Sequence, residues 1–547
     1  MKKNAKAFLL IGSLLLLILF SAFFGRFFIF SKMEKEIIAG MVTLQSEGFE
    51  IQYHSFTADP WINELKIEQL NVRFPYRKQR CLGHEERLTA DRVTITGIDI
   101  LALILKEELH VKVASVENAL LTSFGNIQQR MGTGREGGSL RRILIDHLQV
   151  VSTRIELLDS ISCSLRATTQ FDIRMDEIDI KEPGKPIVKW QIGNALLTCL
   201  KIRFPEQLYT LTLERFGYDH HAKTVRIDSL RVLPDYDKVR FAKKRGVQTD
   251  RISVSIPLIE MEGAEIQTPN DLLFKANHAL LNLQLEVFRD LRYPPNNKKV
   301  MALPSQLLAD LPFRFQIDEI QLCKSSITYE EFPEHGHLSG TVSFDDLSAV
   351  VYNLSNSSSE NTVMHAKTRF MNAGDLQVEL TLPADPEKNY RAKASLTNFN
   401  LRRMNPLLIS SAAMEVKSGS LTVLEFEFEY NNYRSDGELT MEYSNLDLVS
   451  LRKNSKNRST NKFITLIIQT FIIKKDMNNS KSPGAILFYR DPHRSVFNFL
   501  WKSVLSGIKS IYNLDRIMDT HRSTKKRGMS VTSTKKSLSR HPSNISH

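Results

Sequence analysis

Residues 421–430 read LTVLEFEFEY. From Leu424 onward the apolar residues Leu424, Phe426, Phe428 and Tyr430 alternate with Glu425, Glu427 and Glu429. A period of two is that of a β-strand, so the carboxylates share one face and the apolar groups the other. The glutamate face has to meet water. The aromatic face needs an apolar partner, either a second layer of protein or something the protein carries.

The same alternation recurs in both directions along the chain. It is found in ELKIEQLNVRFP (64–75), DRVTITGIDI (91–100), YTLTLERF (209–216), TVRIDSLRVLP (224–234), DLQVELTLP (375–383) and GELTMEYSNLDL (437–448). Turn signals separate such runs, among them Asp385-Pro386, Asn431-Asn432 and Ser435-Asp436-Gly437. Regularly spaced strands over several hundred residues predict a mainly β fold, an extended antiparallel sheet rather than a mixed α/β enzyme. Short helices are predicted at ILALILKEE (100–108), NDLLFKANHALL (270–281) and around PSQLLADL (304–311). One phrase repeats loosely in LIDHLQVVSTRIELLD (144–159), RIDSLRVLPD (226–235) and QIDEIQLCKSSITYEE (316–331): Ile-Asp, an apolar residue, then a second strand-like run. It reads as repeated architecture rather than a countable sequence repeat.

At 547 residues the chain is too long for one ordinary core. The net charge of +12 is largely a property of the tail, where Arg522, Lys525, Lys526, Arg527, Lys535, Lys536 and Arg540 occur without an acid. Removing those seven charges from +12 leaves about +5, close to balance. The tail is too poor in apolar residues to fold alone. Cys81, Cys163, Cys199 and Cys323 are far apart and lack metal-ligand spacing, so they read as isolated core or strand cysteines. An exported chain leaves room for one long-range disulfide.

The N-terminus carries the clearest single signal. MKKNAK precedes the uncharged run AFLLIGSLLLLILFSAFF (7–24), which at about 1.5 Å per residue nearly crosses a hydrocarbon core. Lys2, Lys3 and Lys6 precede it without an acid, whereas Glu34 and Glu36 offset Lys32 and Lys35 behind it. The positive-inside rule then places the N-terminus in the cytoplasm and residues 31–547 across the membrane. The rival, a cleavable signal peptide, lacks a clean small-x-small site. Toward the other end, FITLIIQTFIIKK (463–475) reads as a buried strand or as a helix on lipid or protein. In SVFNFLWKSVLSGIKSI (495–511), Phe497, Leu500, Trp501, Val504, Leu505, Ile508 and Ile511 form one helical stripe. That stripe docks either on the β-region or at a membrane interface.

Motifs for chemistry are weak. GTGREG (132–137) matches a phosphate-loop pattern but leads into a strand-like run instead of a helix, so a loop is the better reading. His335 and His337 among Glu330, Glu331 and Glu334 resemble a metal cluster, yet Pro333 and Gly336 point to a turn; His220-His221 reads likewise. No nucleophile elbow, zinc-protease helix motif or nucleotide loop occurs, so no catalytic residue, metal ligand or cofactor is assigned. Nucleic acid is an unsuitable partner, because the excess positive charge sits in a tail that the anchor places outside the cytoplasm.

The anchor, LKIEQLNVRFP and LTADRVTITGIDILALILKEELHVKVASVENALL (88–121) resemble the start of bacterial AsmA-like proteins. The stretch from GDLQVELTLP through LTNFNLRRMNPLL and VKSGSLTVLEFEFEYNN to SDGELTMEYSNLDLVSL (374–451) resembles that family's C-terminal module. Asn405-Pro406-Leu407, Ser418-Gly419 and Gly437 fall where the module has its helix and turns, and the FLWKSVLSGIK ending is similar to a membrane-anchored subgroup. Together these stretches cover about half of the chain. The resemblance implies membership of the AsmA/TamB group, related to bridge-like lipid-transfer proteins. It implies an N-terminal transmembrane helix followed by an elongated, curved antiparallel β-sheet with an apolar groove, anchored in the inner membrane and reaching into the periplasm. It supplies no catalytic residues.

The implied regions are the anchor (1–30), an N-terminal β/α region (31–130), a middle β-region (131–340) and a C-terminal β-module (341–451). A linker with the apolar segment and amphipathic helix (452–514) and the basic tail (515–547) follow. Leu376, Val378, Leu380, Leu424, Phe426, Phe428 and Tyr430 are then the candidate lipid-groove residues. Phe497, Leu500, Trp501, Val504, Leu505 and Ile508 are the membrane-interface candidates. The expected partners are phospholipids and the inner membrane, with the outer membrane or its proteins beyond, and the expected activity is phospholipid transport between the membranes. The alternative is an elongated periplasmic scaffold that aids outer-membrane protein assembly or envelope integrity.

Overall fold

The computed structural model describes residues 49–74, 86–124, 141–159, 163–181, 189–191, 193–204, 208–267, 273–295, 300–335, 337–451, 476–477 and 483–511, with Ser31 and Lys35. The apolar run 7–24, GTGREG, the segment 463–475 and the basic tail lie outside them. Among the described residues the chain is mainly β, with twenty-four strands and a few short helices. No described helix is long and apolar enough to cross a membrane.

The chain forms two compact units. The first takes residues up to Phe241, Ile252–Leu285 and Phe313–Asp318; the second takes Ala242–Arg251, Glu286–Pro312 and the residues from Glu319 on. In the first unit the strand Glu64–Arg73 pairs with Arg87–Thr96, and that strand pairs with Glu108–Glu117. The expectation of a wholly antiparallel sheet fails at the next step. Glu108–Glu117 and Leu120–Ser123 both run parallel to Arg142–Leu158, so the sheet is mixed. A parallel pair needs a crossover of a dozen or more residues, and the chain between Ser123 and Arg142 supplies that length. Antiparallel pairing then resumes through Leu165–Lys181, Asn194–Arg203, Tyr209–Asp219 and Thr224–Pro234 to Asp250–Glu262.

Two of the three predicted helices form, at Ile100–Lys106 and Pro304–Ala309. The third does not: Leu273–Leu281 is a strand, registered on Asp250–Glu262 through Met261↔Ala279 and Ile259↔Leu281. Helix propensity is a weak preference, and the ladder hydrogen bonds and the burial of Ala276 and Ala279 override it here.

A parity switch recurs inside several strands, the RIDSLRVLP copy of the Ile-Asp phrase among them. In LKIEQLNV, Leu65 and Ile67 are odd-numbered whereas Leu70 and Val72 are even; Val225 and Ile227 against Leu230 and Val232 repeat the switch. Strict alternation would send the two halves of such a strand to opposite faces. Between the halves lies one non-glycine residue in the left-handed region: Gln69 at φ 50°, Cys199 at 56° and Ser229 at 54°. That single rotation returns the second half to the face of the first. It costs roughly 1–2 kcal/mol, less than turning two aliphatic side chains into water, each worth about 1.5–3 kcal/mol when fully buried. Ser152 (φ 52°), Cys199 and Ser229 also lie beside one transverse row, Asp172–Thr198–Arg215–Asp228. The Ser152 N–H donates to Asp172 Oδ1 at 2.5 Å. Bulges bend and twist the strands that carry them, so the sheet of this unit is creased along that line.

The second unit is an antiparallel meander. Gly340–Ser355, Thr362–Phe370, Gly374–Leu382, Tyr390–Asn400, Met414–Tyr430, Arg434–Ser450 and Gly484–Tyr489 pair in chain order. Its core is built on the face that carries the aromatic residues of LEFEFEY. Tyr390, Phe399, Phe428, Tyr430, Leu439, Tyr443, Ile486 and Phe499 are all buried in one cluster. Phe499 comes from the helix Val496–Ile511, which lies on that face. The Phe499 ring meets Tyr430 edge-on at 5.8 Å, and Tyr430 stacks on Tyr390 at 5.0 Å.

Candidate functional site

A long apolar surface in the first unit follows from register. One transverse row runs from Phe56 through Ile67, Val93 and Val116 to Val150, then through Ile173, Leu197, Phe216 and Ile227 to Ile259 and Leu281. A second row beside it begins at Ala58, Leu65 and Ile95 and continues to Tyr218, Val225, Met261 and Ala279. Each row crosses eleven strands, which at about 4.8 Å per strand is roughly 48 Å of unbroken apolar contact. In the first row every residue except Ile259 is only half-buried.

Among the described residues nothing in the unit is placed to bury these rows fully. Among the described residues Ile100–Lys106 is the one helix wholly inside it, beside Glu108–Glu117. Its buried clusters are small and local, such as Leu65, Ile98 and Val111, or Tyr218, Val225 and Ala264. Half-buried aliphatic and aromatic side chains in register along a creased sheet offer a continuous wall to an apolar ligand. Charge stays off that wall. Arg142 donates to Asp179 from Nε and Nη2 at 2.7 and 2.8 Å, and the hydrogen bond holds the Asp179 carboxyl below the usual range.

The candidates from the second unit share one face but differ in exposure. Leu376, Phe428 and Tyr430 are buried, and Val378, Leu380, Leu424 and Phe426 are half-buried. Phe428 and Tyr430 belong to the cluster that Phe499 enters, so protein occupies the surface there. Burial raises the Tyr430 hydroxyl above its ordinary value, with Tyr390 adding to the effect. An open trough of about 840 Å³ crosses this unit, lined by the candidates Val378 and Phe426 together with residues of the polar face. Leu439, Ala394 and Ala366 in its lining are buried, whereas Lys367, Lys393, Glu425 and Glu438 are exposed. On the polar face Arg391 hydrogen-bonds Glu427 and lowers its carboxyl, while Lys393 lies 3.9 Å from the same group. That is a solvated ladder of alternating charge.

The helix Val496–Ile511 docks with part of the predicted stripe, but its closest approach is centred one position away. Its fully buried residues are Phe499, Ser503 and Gly507. The Ser503 and Ser435 hydroxyls lie 2.7 Å apart, both without exposure. A Cβ on Gly507 would stand 2.8 Å from Ile486 Cγ1 and 2.9 Å from Leu439 Cβ, so only glycine permits this approach. Among the membrane-interface candidates, Leu500, Val504 and Ile508 pack against the core, and Phe497 lies against Tyr329 at 4.6 Å. Trp501 and Leu505 are half-buried. Toward the strand Gly484–Tyr489, Ser510 Oγ accepts from the Ala485 N–H at 3.1 Å and Ser506 Oγ from the Leu487 N–H at 3.2 Å.

Among the described residues no group of three or more His, Cys, Asp or Glu converges as a metal site. His335 lies 3.7 Å from Glu334 in an exposed turn, and His221 is paired with Glu177 at 2.7 Å. Cys163 is disulfide-bonded, which corrects the reading of four isolated cysteines. Cys199 and Cys323 are free, and Cys81 lies outside the described residues.

The sequence reading picks out several of the strands that carry the apolar rows but assigns no site to them. The missing signal is the parity switch inside some of these strands, which hides a continuous face as two discontinuous ones. No family model matches the chain, and no curated protein matches it.

Proposed function

We propose that the chain is a membrane-anchored, AsmA-like protein of the periplasm that holds lipid acyl chains against the apolar rows of its first unit and takes part in phospholipid transport between the inner and outer membranes. The observation that carries this reading is the pair of in-register apolar rows across eleven strands, left half-buried. Each methylene moved from water onto such a wall gains about 0.8 kcal/mol, and head groups remain in solvent. Binding of this kind requires no metal or nucleotide. The Cys163 disulfide accords with an oxidising compartment, as the anchor orientation requires.

A photo-crosslinking amino acid in place of Phe216, on the row, or of its neighbour Arg215 tests the site in the full chain. Phospholipid adducts at 216 and none at 215 are the expected result. Equal labelling at both positions, or none, would remove the groove. The scaffold reading gains from one observation: on the aromatic face of the second unit a helix occupies part of the place that cargo would take. It predicts a well-folded, lipid-free protein in native mass spectra.

A further inference from the structure

A separate apolar surface lies at one end of the first strands. Asp59 Oδ1 accepts from the N–H of Trp61 at 2.8 Å and more weakly from that of Ile62 at 3.4 Å, and Asn63 completes the turn at φ 55°. This tight turn holds Trp61 and Ile62 outward, 65% and 61% exposed. The next connection at the same end is the helix Ile100–Lys106. The Gly97 N–H donates to the Asn63 carbonyl at 2.9 Å, which joins the two connections. Asp99 caps the helix by accepting from Ala102 N at 3.0 Å, and its inner side rests through Ile98 and Ile100 on the cluster of Leu65 and Val111. Leu101 and Leu105, four apart and so on one face, are 70% and 76% exposed. Four large apolar side chains are thus presented to solvent by two well-braced connections.

We propose that this tip is seated in the interfacial layer of the bilayer that holds the N-terminal apolar run. The inference rests on the anchor reading and adds to it a second point of membrane contact. The occupant follows from chain length and chemistry. Residues 25–48 separate the apolar run from Phe49 and span at most roughly 80 Å when extended, so the unit is tethered within reach of that bilayer. A tryptophan beside aliphatic side chains suits the boundary between head groups and acyl chains, where one end of the ring system is apolar and its N–H is wet. The local carboxylates Asp59 and Asp99 are engaged in capping, Glu107 pairs with Arg141 at 2.9 Å and Lys106 is a single exposed cation beside Leu105, so the attraction is chiefly apolar. The two contacts together orient the first strands, and with them the start of the apolar rows, at the membrane surface.

The test uses the full chain in nanodiscs of brominated phosphatidylcholine, with Trp190→Phe and Trp501→Phe so that Trp61 alone reports. A blue-shifted Trp61 emission that is lost to bromine quenching, and recovered in Leu101→Glu/Leu105→Glu, is expected. Unquenched emission from a chain that co-migrates with the disc overturns the tip and leaves the anchor standing, pointing instead to a protein partner or to water. A chain that fails to co-migrate overturns both. Adding anionic lipid should leave the quenching nearly unchanged; a strong dependence would replace apolar insertion with head-group attraction.

Discussion

The two units build apolar faces by the same rule and finish them differently. In the second, the aromatic side of Tyr390–Asn400 and Met414–Tyr430 receives Phe499, and Tyr390, Phe428 and Tyr430 disappear from solvent. In the first, Phe216, Ile227 and their neighbours in the row remain half-buried. Alternation writes the same pattern for both, so an apolar face in a strand does not specify whether chain or cargo completes it. The completing helix lies about seventy residues after LEFEFEY, and its closest approach is made at Ser503 and Gly507, which no hydrophobic stripe would select.

Placing one charge in each unit should produce the largest contrast. Phe428→Glu buries a carboxylate without a partner and should cost more than about 4 kcal/mol, unfolding the second unit. Phe216→Glu can turn toward water, so it should cost about 1–2 kcal/mol and leave a folded unit with less bound lipid. Proteolysis read by mass spectrometry, with lipid quantified in parallel, would separate the two. If both variants unfold alike, the first unit has a closed core and the distinction is lost. Next in size, Gly507→Val should cost about 1–3 kcal/mol by overpacking against Ile486 and Leu439. Hydrogen exchange at Ala485 and Leu487 should rise in this variant, while the first unit stays unchanged.

A third experiment concerns pH in the first unit. Arg142 holds the Asp179 carboxyl below its unfolded value, near 3.9 for a free aspartate. The associated stability is therefore present above that unfolded value and is lost as pH falls through the lower folded one. Asp179→Asn should flatten this acid limb, with an effect of about 1 kcal/mol or less near neutrality. The smallest effect is expected at the crease. Ser229→Gly relieves a left-handed serine and should stabilise by about 0.5 kcal/mol, whereas Ser229→Val should destabilise by more. A neutral valine at this site would mean that the crease does not depend on it.

Much of the strand content was legible because period-two alternation is a local property. TVRIDSLRVLP and DLQVELTL appear as strands within a residue of the sequence reading. What was not legible depends on distant partners or on backbone angles. Gln69, Cys199 and Ser229 are not glycines and so do not announce a positive φ, and the parity switch they produce has no evident cause in the sequence. The parallel pairing onto Arg142–Leu158 leaves no mark on side-chain type, and Leu273–Leu281 reads as helix until its neighbour is known. For the same reason the groove candidates were placed in the second unit, where the alternation is cleanest, although the longer open face lies in the first.

The serines of the last helix that face the strand Gly484–Tyr489 set a limit on how such a molecule can lengthen. An edge strand normally shows a row of free N–H groups on which another strand can form. Here Ser506 and Ser510 already accept the outward N–H groups of Leu487 and Ala485. A strand appended after Tyr489 would have to displace the hydroxyls before it could bond. Variants with greater span should therefore arise by duplication of internal hairpins, with the helix kept as a fixed end-piece. For the same reason copies of the protein should not stack end to end through this edge, even when crowded at a membrane.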